Sequence, residues 1–179
     1  MEANWEFEVG GDAPVIEAHW AGFVDLRCHP ESARHLPQAA QFPALGEALS
    51  RLNAADSPVW TAKCDFWPHL EAGEFDPDEL DAPSGDATHA MGCYIDLLPR
   101  SDQQWVLPAM VEKACKRICG LLHAVPLRCC RADLVIRRAF ITPELMGLGI
   151  TAYLTSCGES SGEAKRMLEA ALAAFTDAL

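Results

Sequence analysis

The chain has 179 residues, of which 50% are hydrophobic and 22% are charged, and its formal net charge at pH 7 is −12. This balance is typical of a folded protein and excludes a wholly disordered chain, and the excess of acidic residues argues against binding to nucleic acid. Because no apolar run approaches the roughly 18 residues of a membrane span and the acidic N-terminus lacks the features of a signal peptide, we expect one cytoplasmic domain over residues 1–179, without membrane contact.

The first third of the chain predicts two strands and one helix. Alternating apolar and acidic residues indicate a strand over 4–9, and a second strand over 14–26 is expected to form a hairpin with it. Three prolines interrupt residues 28–44, so any helix there is expected to be short. A longer helix is predicted over 43–53, since proline suits its first turn and three leucines share one face.

The middle of the chain predicts two strands joined by an acidic loop. Residues 59–67 alternate, which predicts a strand whose core face carries Trp60, Ala62, Cys64 and Phe66. Residues 68–87 hold seven acidic residues, three prolines and no lysine or arginine, so we expect a solvated and flexible loop. A strand over 88–98 and a helix that ends near residue 123 are predicted to follow.

The densest run of β-branched and apolar residues, at 127–142, predicts the central strand of the fold. Its core face is expected to carry Cys130, Ala132, Leu134 and Ile136. Residues 148–157 are predicted to be its hairpin partner. An alanine-rich helix over 164–179, capped by Ser160, is expected to pack on the sheet.

This order of elements predicts an α+β fold. We expect a mostly antiparallel sheet of about six strands, with three helices on one face, in the order ββα ββα ββα. A ferredoxin-like core, βαββαβ, over residues 14–141 also fits the order of elements. The two topologies differ in the neighbour of the second strand, and the sequence does not choose between them.

The eight cysteines are expected to be reduced and to pack as small apolar residues, because disulfides are rare in cytoplasmic proteins. An alternative zinc site would use ligands whose spacing matches no known zinc motif: Cys64, His69, His89 and Cys93. A thiol nucleophile at Cys129 or Cys157 is another alternative. The glycine and serine residues at 157–165 do not match a phosphate loop, and helix capping explains the serines. We predict no metal and no cofactor.

The sheet face opposite the core carries the candidate binding residues. We assign the site to Lys63, Asp65, Tyr94, Asp96, Arg131, Asp133 and Arg137, with Glu17 and His19 as neighbours. Arginines beside aspartates and a tyrosine suit recognition of a carboxylate, a phosphate or a polar ring. A solvated surface with cross-strand ion pairs is the alternative explanation of the same pattern.

Two functions are compatible with this face. The first is a binding or protein-interaction domain that holds a small polar ligand or a protein partner, with a homodimer as one arrangement. Trp67, at a strand end beside Pro68, is a candidate interface residue for it. The second is a small enzyme in which Asp65, Asp96, Asp133 and Tyr94 act as acid–base groups while Arg131 and Arg137 orient an anionic substrate. A deep pocket with shifted carboxylates would favour the enzyme, and a flat ion-paired face would favour the interaction domain.

Overall fold

A computed structural model describes residues 1–18, 20, 22–71, 73–83, 87–101, 105–141 and 145–179. The strands are β1 (Glu2–Glu8), β2 (Ile16–Glu17), β3 (Val59–Trp67), β4 (His89–Pro99), β5 (Cys130–Phe140) and β6 (Met146–Gly158). The α-helices are α1 (Pro37–Gln41), α2 (Pro43–Leu52), α3 (Pro108–His123) and α4 (Ser161–Ala178). Two short 3-10 helices span Pro30–His35 and Asp78–Leu80. The α+β class that the sequence predicts is confirmed.

The six strands form one mixed sheet in the order β1-β5-β6-β4-β3, with β2 also paired to β5. β1 and β2 run parallel to β5, whereas the other neighbours are antiparallel. The predicted mostly antiparallel sheet and the hairpin between the first two strands were therefore wrong. Both strands lie along β5, and alternation within a strand carries no information about the direction of a neighbour more than a hundred residues away.

The helices also differ from the prediction, since the described residues contain four α-helices and two 3-10 helices rather than three helices. The additional helices include those that begin at Pro30 and Pro37. Proline is favoured in the first turn of a helix because its missing N–H would have no intrahelical partner there. Closely spaced prolines therefore open successive short helices in this segment.

The position of β6 determines the topology. β6 lies between β5 and β4 and pairs with both along most of its length. In a ferredoxin-like core over residues 14–141, the strand between β5 and β4 would instead be β2. The described residues therefore do not have a ferredoxin-like strand order. The order of the main elements nevertheless follows the predicted succession of strand pairs and helices.

One face of the sheet forms the main hydrophobic core with the helices. Cys130, Ala132, Leu134 and Ile136 of β5 are all fully buried, as the alternation of that strand predicts. α4 packs across β4, β5 and β6 and inserts Leu168, Leu172 and Phe175. α3 packs against β1 and α2 lies next to α4. The helical layer leaves the opposite face of the sheet, here called the polar face, for the candidate site.

Candidate ligand-binding face

The polar face is covered at both of its ends. Near one end, Ile16 and Phe23 pack over the outward side chains Trp60 and Leu98. Near the other end lies the acidic loop of residues 68–87, here called the acidic segment. Its Leu80 packs with Ala90 and Cys157. Between these ends lies a trough of about 360 Å³, lined by Pro14, Val15, Ile16, Lys63, Trp67, Tyr94, Asp96, Arg137 and Tyr153.

A β-bulge in β3 determines which of its residues reach the trough. The pairing with β4 shifts between Thr61 and Cys64, so β3 contains one residue more than its partner in this interval. Cys64 and Phe66 therefore pack on the helical side, where Phe66 stacks on Phe42 at 4.7 Å between ring centroids. Trp60 lies on the other face, so the prediction that Trp60 shares a face with Cys64 and Phe66 was wrong. Strict alternation fails wherever a bulge adds a residue.

Three aromatic rings form one wall of the trough. Tyr94 lies directly opposite Tyr153 in the register of β4 and β6, and their ring centroids are 5.9 Å apart. The Trp67 ring stacks near both, at 5.7 Å from Tyr94 and 6.5 Å from Tyr153. Burial and the nearby Asp96 carboxylate raise the pKa of Tyr94 to about 12. Tyr94 is therefore a neutral hydroxyl at physiological pH.

Asp96 is a carboxylate in the trough that is nearly removed from solvent, with an exposed fraction of 6%. Its Oδ1 accepts a hydrogen bond of 2.6 Å from the hydroxyl of Thr151, the residue opposite it on β6. Burial raises the pKa of Asp96, and the Thr151 hydrogen bond and the charges of Arg137 and Lys63 oppose that shift. The ionised form of Asp96 is therefore less stable in the folded protein than in water.

Arg137 connects the sheet edge to the centre of the trough. Its Nε donates to Glu8 Oε2 at 2.8 Å, and its Nη1 donates to the hydroxyls of Thr151 and Tyr153 at 3.2 and 3.1 Å. The guanidinium carbon also lies 5.6 Å from the centroid of the Tyr153 ring. With 13% of its side chain exposed, Arg137 is a paired and largely buried cation.

The remaining predicted site residues lie on the same face but outside the trough lining. Arg131 Nε donates to both carboxylate oxygens of Asp133, at 2.8 and 2.9 Å. Its Nη1 also pairs with Glu79 of the acidic segment at 2.9 Å. Asp65 accepts a hydrogen bond from the backbone N–H of Phe66. The structure thus brings together Lys63, Tyr94, Asp96 and Arg137 in the trough and places Asp65, Arg131 and Asp133 beside it.

The neighbours proposed from the sequence and the acidic segment can be placed in part. Glu17 is exposed in β2, and His19 lies outside the described residues. In the acidic segment Leu80 is buried, and Asp81 pairs with Arg128 at 2.9 Å. These contacts attach the described part of the segment to the sheet, and its flexibility stays a prediction.

Sequence reasoning did not assign three of the residues that complete the site. Tyr153 and Thr151 lie on β6, and Glu8 lies at the end of β1. The pairing of Asp96 with Thr151, and of Tyr94 with Tyr153, depends on the β4–β6 register. The alternation of side chains along β6 predicts that Thr151 and Tyr153 share a face, and this pattern is the sequence feature that could have identified them. Trp67 was predicted as an interface residue and not as part of the site.

Of the alternative chemical sites, the zinc site and a nucleophile at Cys157 find little support. The described parts of the chain hold no group of three or more histidine, cysteine or acidic side chains arranged to bind a metal. Burial raises the pKa of Cys157 to about 12, so its thiolate is not favoured. The Ser160 hydroxyl accepts a hydrogen bond from the N–H of Glu163 at 3.2 Å, and the Glu163 carboxylate accepts one from the N–H of Glu159 at 3.0 Å. The capping explanation of Ser160 is confirmed.

Replacing Asp96 with asparagine is expected to weaken the pH dependence of stability. An acid whose folded-state pKa is raised above its ordinary value of 3.8 contributes stability at low pH, and that contribution is lost as the pH rises through the raised pKa. Asparagine retains an oxygen for the Thr151 hydroxyl and does not ionise. Relative to the wild type, Asp96→Asn should therefore gain stability between pH 3.5, below the ordinary pKa, and pH 8, as measured by urea unfolding of both proteins at the two pH values. An equal difference between the two proteins at both pH values would contradict this assignment.

Of the helices in the residues described, none combines the length and the apolarity needed to cross a bilayer. Comparison of the chain with protein-family models, with curated proteins and with solved structures gives no significant match.

Proposed function

We propose that this protein is a binding domain that holds a cationic side chain, arginine or lysine, of a protein partner in the trough of its polar face. The observation that carries the proposal is the buried Asp96 carboxylate beside Trp67 and Tyr94 in an accessible cavity. Aromatic faces attract cations electrostatically, and the attraction increases where water is excluded. A carboxylate at the base of such a cavity supplies the counter-charge.

The chain itself offers an example of this binding mode. The guanidinium of Arg137 lies over the ring of Tyr153 and is paired with the carboxylate of Glu8. An aromatic ring and a carboxylate also occur together on the neighbouring strand β4, at Tyr94 and Asp96. Because Arg137 is already paired with Glu8, we propose that an incoming cation pairs with Asp96 and displaces Lys63 from its vicinity.

The charge of the face supports a basic partner. Six acidic residues and three basic residues share the polar side of the paired strands: Glu2, Glu6, Glu8, Asp65, Asp96 and Asp133, with Lys63, Arg131 and Arg137. Over the whole chain, residues 1–106 hold 19 acidic and 5 basic residues. A field of this sign accelerates association with basic surfaces and disfavours acidic ones.

Two other occupants of the face were predicted, a small polar ligand and a second copy of the chain. The trough volume of about 360 Å³ lies at the lower end of the range of small-molecule pockets. If two β1 edge strands paired antiparallel in the register centred on Trp5, Glu2 would lie opposite Glu8, and like charges directly opposite each other are destabilising. These features favour a side chain of a different protein over either alternative.

A second candidate function is an enzyme that uses Asp96 as a general acid or base. The buried position of Asp96 and its raised pKa favour this alternative, because such carboxylates cluster at catalytic sites. It ranks second because both arginines proposed as anchors for an anionic substrate are paired with carboxylates of the chain, Arg137 with Glu8 and Arg131 with Asp133 and Glu79.

We also propose that the protein acts in the cytoplasm. All eight cysteines are free thiols. Free thiols, several of them buried in the core, are typical of proteins in reducing compartments.

A calorimetric titration with a hexa-arginine peptide tests the binding proposal. Trp67→Ala is expected to weaken binding by about 5- to 30-fold, which corresponds to the roughly 1–2 kcal/mol of a partly desolvated cation–π contact. Glu47→Gln, on the exposed surface of α2, is the matched control for the general acidity of the chain and should leave binding nearly unchanged. Equal binding by the wild type and Trp67→Ala would contradict the proposal.

A further inference from the structure

Two cysteines face each other where β5 begins and β6 ends. Cys130 pairs with Ser156 in the register of these strands, so Cys129 lies opposite Cys157. The N–H of Cys157 donates a hydrogen bond of 2.9 Å to the carbonyl of Cys129. This direct bond holds the two backbones side by side, as in neighbouring strands of a sheet, which lie about 4.7–4.9 Å apart. Disulfides join residues whose Cα atoms are about 4.4–6.8 Å apart.

The two thiols share one environment. Both side chains belong to the apolar cluster formed with Leu80 and Ala82, and both line a small cavity of about 80 Å³. Burial raises the pKa of Cys157, and the neighbouring thiol of Cys129 raises it further. The two side chains therefore lie in one apolar cluster and beside one cavity, next to the backbone hydrogen bond that joins their residues.

The two cysteines differ in access to solvent. Cys157 is fully buried, whereas Cys129 is partly exposed, next to the cavity. Cys129 also has a left-handed backbone with φ +58°, a conformation that is uncommon for a residue with a side chain. One thiol is therefore accessible to a small oxidant while the other is held behind it.

We propose that Cys129 and Cys157 form a redox pair that closes to a cross-strand disulfide when the protein meets a peroxide. The sulfur of Cys129 attacks one peroxide oxygen, so that an S–O bond forms, the O–O bond breaks and one water leaves. The Cys157 sulfur then attacks the Cys129 sulfenic acid, the S–S bond forms, the S–O bond breaks and a second water leaves. Two thiols and one hydrogen peroxide thus become one disulfide and two waters.

The other cysteines lack a directly opposite cysteine combined with access to solvent. Cys64 is partly exposed, but it pairs with Ile95 in the register of β3 and β4, so Cys93 lies at a diagonal position about 7–8 Å away rather than opposite it. Cys93 and Cys115 are fully buried in the main core, and Cys119 is 6% exposed on the same helix as Cys115. Cys130 is adjacent to Cys129 in sequence, but it faces the helical layer and is fully buried. Cys28 is exposed and lies in a different part of the chain. The proposed modification is therefore specific to the pair at the end of β5 and β6.

The test is oxidation of the full chain with hydrogen peroxide, followed by alkylation and mass spectrometry of tryptic peptides. We expect a species lighter by two hydrogen atoms, in which the peptide with Cys129 and Cys130 is linked to the peptide with Cys157, and which dithiothreitol reverses. Because trypsin leaves Cys129 and Cys130 together, the variants decide which one is linked. Cys129→Ser should abolish the link and Cys130→Ala should retain it.

Persistence of the linked peptide in Cys129→Ser would overturn the proposal, as would conversion of Cys129 to a sulfinic acid without any link in the wild type. Cys129→Ser changes a partly exposed side chain, so its folding can be verified by its melting temperature and circular dichroism. The experiment contains no basic peptide and is independent of the proposed function. Absence of the disulfide would leave the binding proposal unaffected, and absence of peptide binding would leave the disulfide proposal unaffected.

Discussion

Replacing Arg137 with methionine is expected to lower the free energy of unfolding by about 2–4 kcal/mol. The change removes the donors that Glu8, Thr151 and Tyr153 share. It also removes a cation that opposes the raised pKa of the buried Asp96. The loss should be smaller than that of a fully buried ion pair, because Glu8 is 41% exposed and water can solvate its carboxylate. Urea unfolding at neutral pH measures the difference.

Two further variants test whether the loss of stability comes from this hydrogen-bond network or would follow from removing any arginine. Arg128→Met removes a cation that is 64% exposed and paired with Asp81, so its effect should be within about 0.5 kcal/mol. Adding Glu8→Gln to Arg137→Met should cost less than the sum of the two single changes, because each single change leaves one charged partner behind. Equal losses in Arg137→Met and Arg128→Met would contradict the central position of Arg137.

Replacing Gly149 with alanine is expected to cost about 1–3 kcal/mol by overpacking. Gly149 lies on β6 opposite Arg137, where a Cβ would meet the Leu97 carbonyl oxygen at 2.9 Å and the Ile16 side chain at 2.8 Å. The carbonyl belongs to the backbone of β4 and has little freedom to move. The side chain of Ile16 is then expected to shift, which alters one wall of the trough.

Gly120→Ala provides a matched control for this prediction. Gly120 lies in α3, and an added Cβ would meet nothing within 4 Å. Alanine is favoured over glycine in a helix interior, so this variant should be more stable than the wild type by about 0.5–1 kcal/mol. Thermal unfolding of the two variants should therefore move in opposite directions. A Gly149→Ala variant as stable as the wild type, or more stable, would mean that the close approach at Gly149 does not constrain the sheet.

The sequence predicted those parts of the fold that follow from local pattern. Alternation along β5 assigns Cys130 to the core and Arg131 to the other face, because successive side chains of a regular strand point in opposite directions. The cap of α4 at Ser160 follows from the chemistry of a free helix N-terminus. Both predictions depend on neighbours within a few residues along the chain.

The sequence could not predict features that depend on distant segments. The parallel pairing of β1 with β5 brings Glu8 to Arg137 across 129 positions of sequence, and no local pattern encodes this contact. The bulge after Thr61 moved Trp60 away from the face predicted for it, because one additional residue inverts the alternation.

Part of the candidate site could be predicted from the sequence, because it also follows from alternation within one strand. Tyr94 and Asp96 follow from the alternation of β4 alone. Their partners Tyr153 and Thr151 require knowledge that β6 lies beside β4, which a single sequence does not supply. Sequence reasoning also treated Arg131 and Arg137 as free anchors, whereas the fold pairs each with a carboxylate. That pairing changes the expected ligand from an anion to a cation.

The most direct test of the trough as a cation site is an NMR titration of ¹⁵N-labelled protein with a hexa-arginine peptide. We predict saturable shifts of the Trp67 indole N–H and of the backbone amides of Tyr94, Asp96 and Tyr153, with little change in α3 and α4. Unsaturated shifts spread over the acidic segment and the helices, with the trough signals unmoved, would contradict the account.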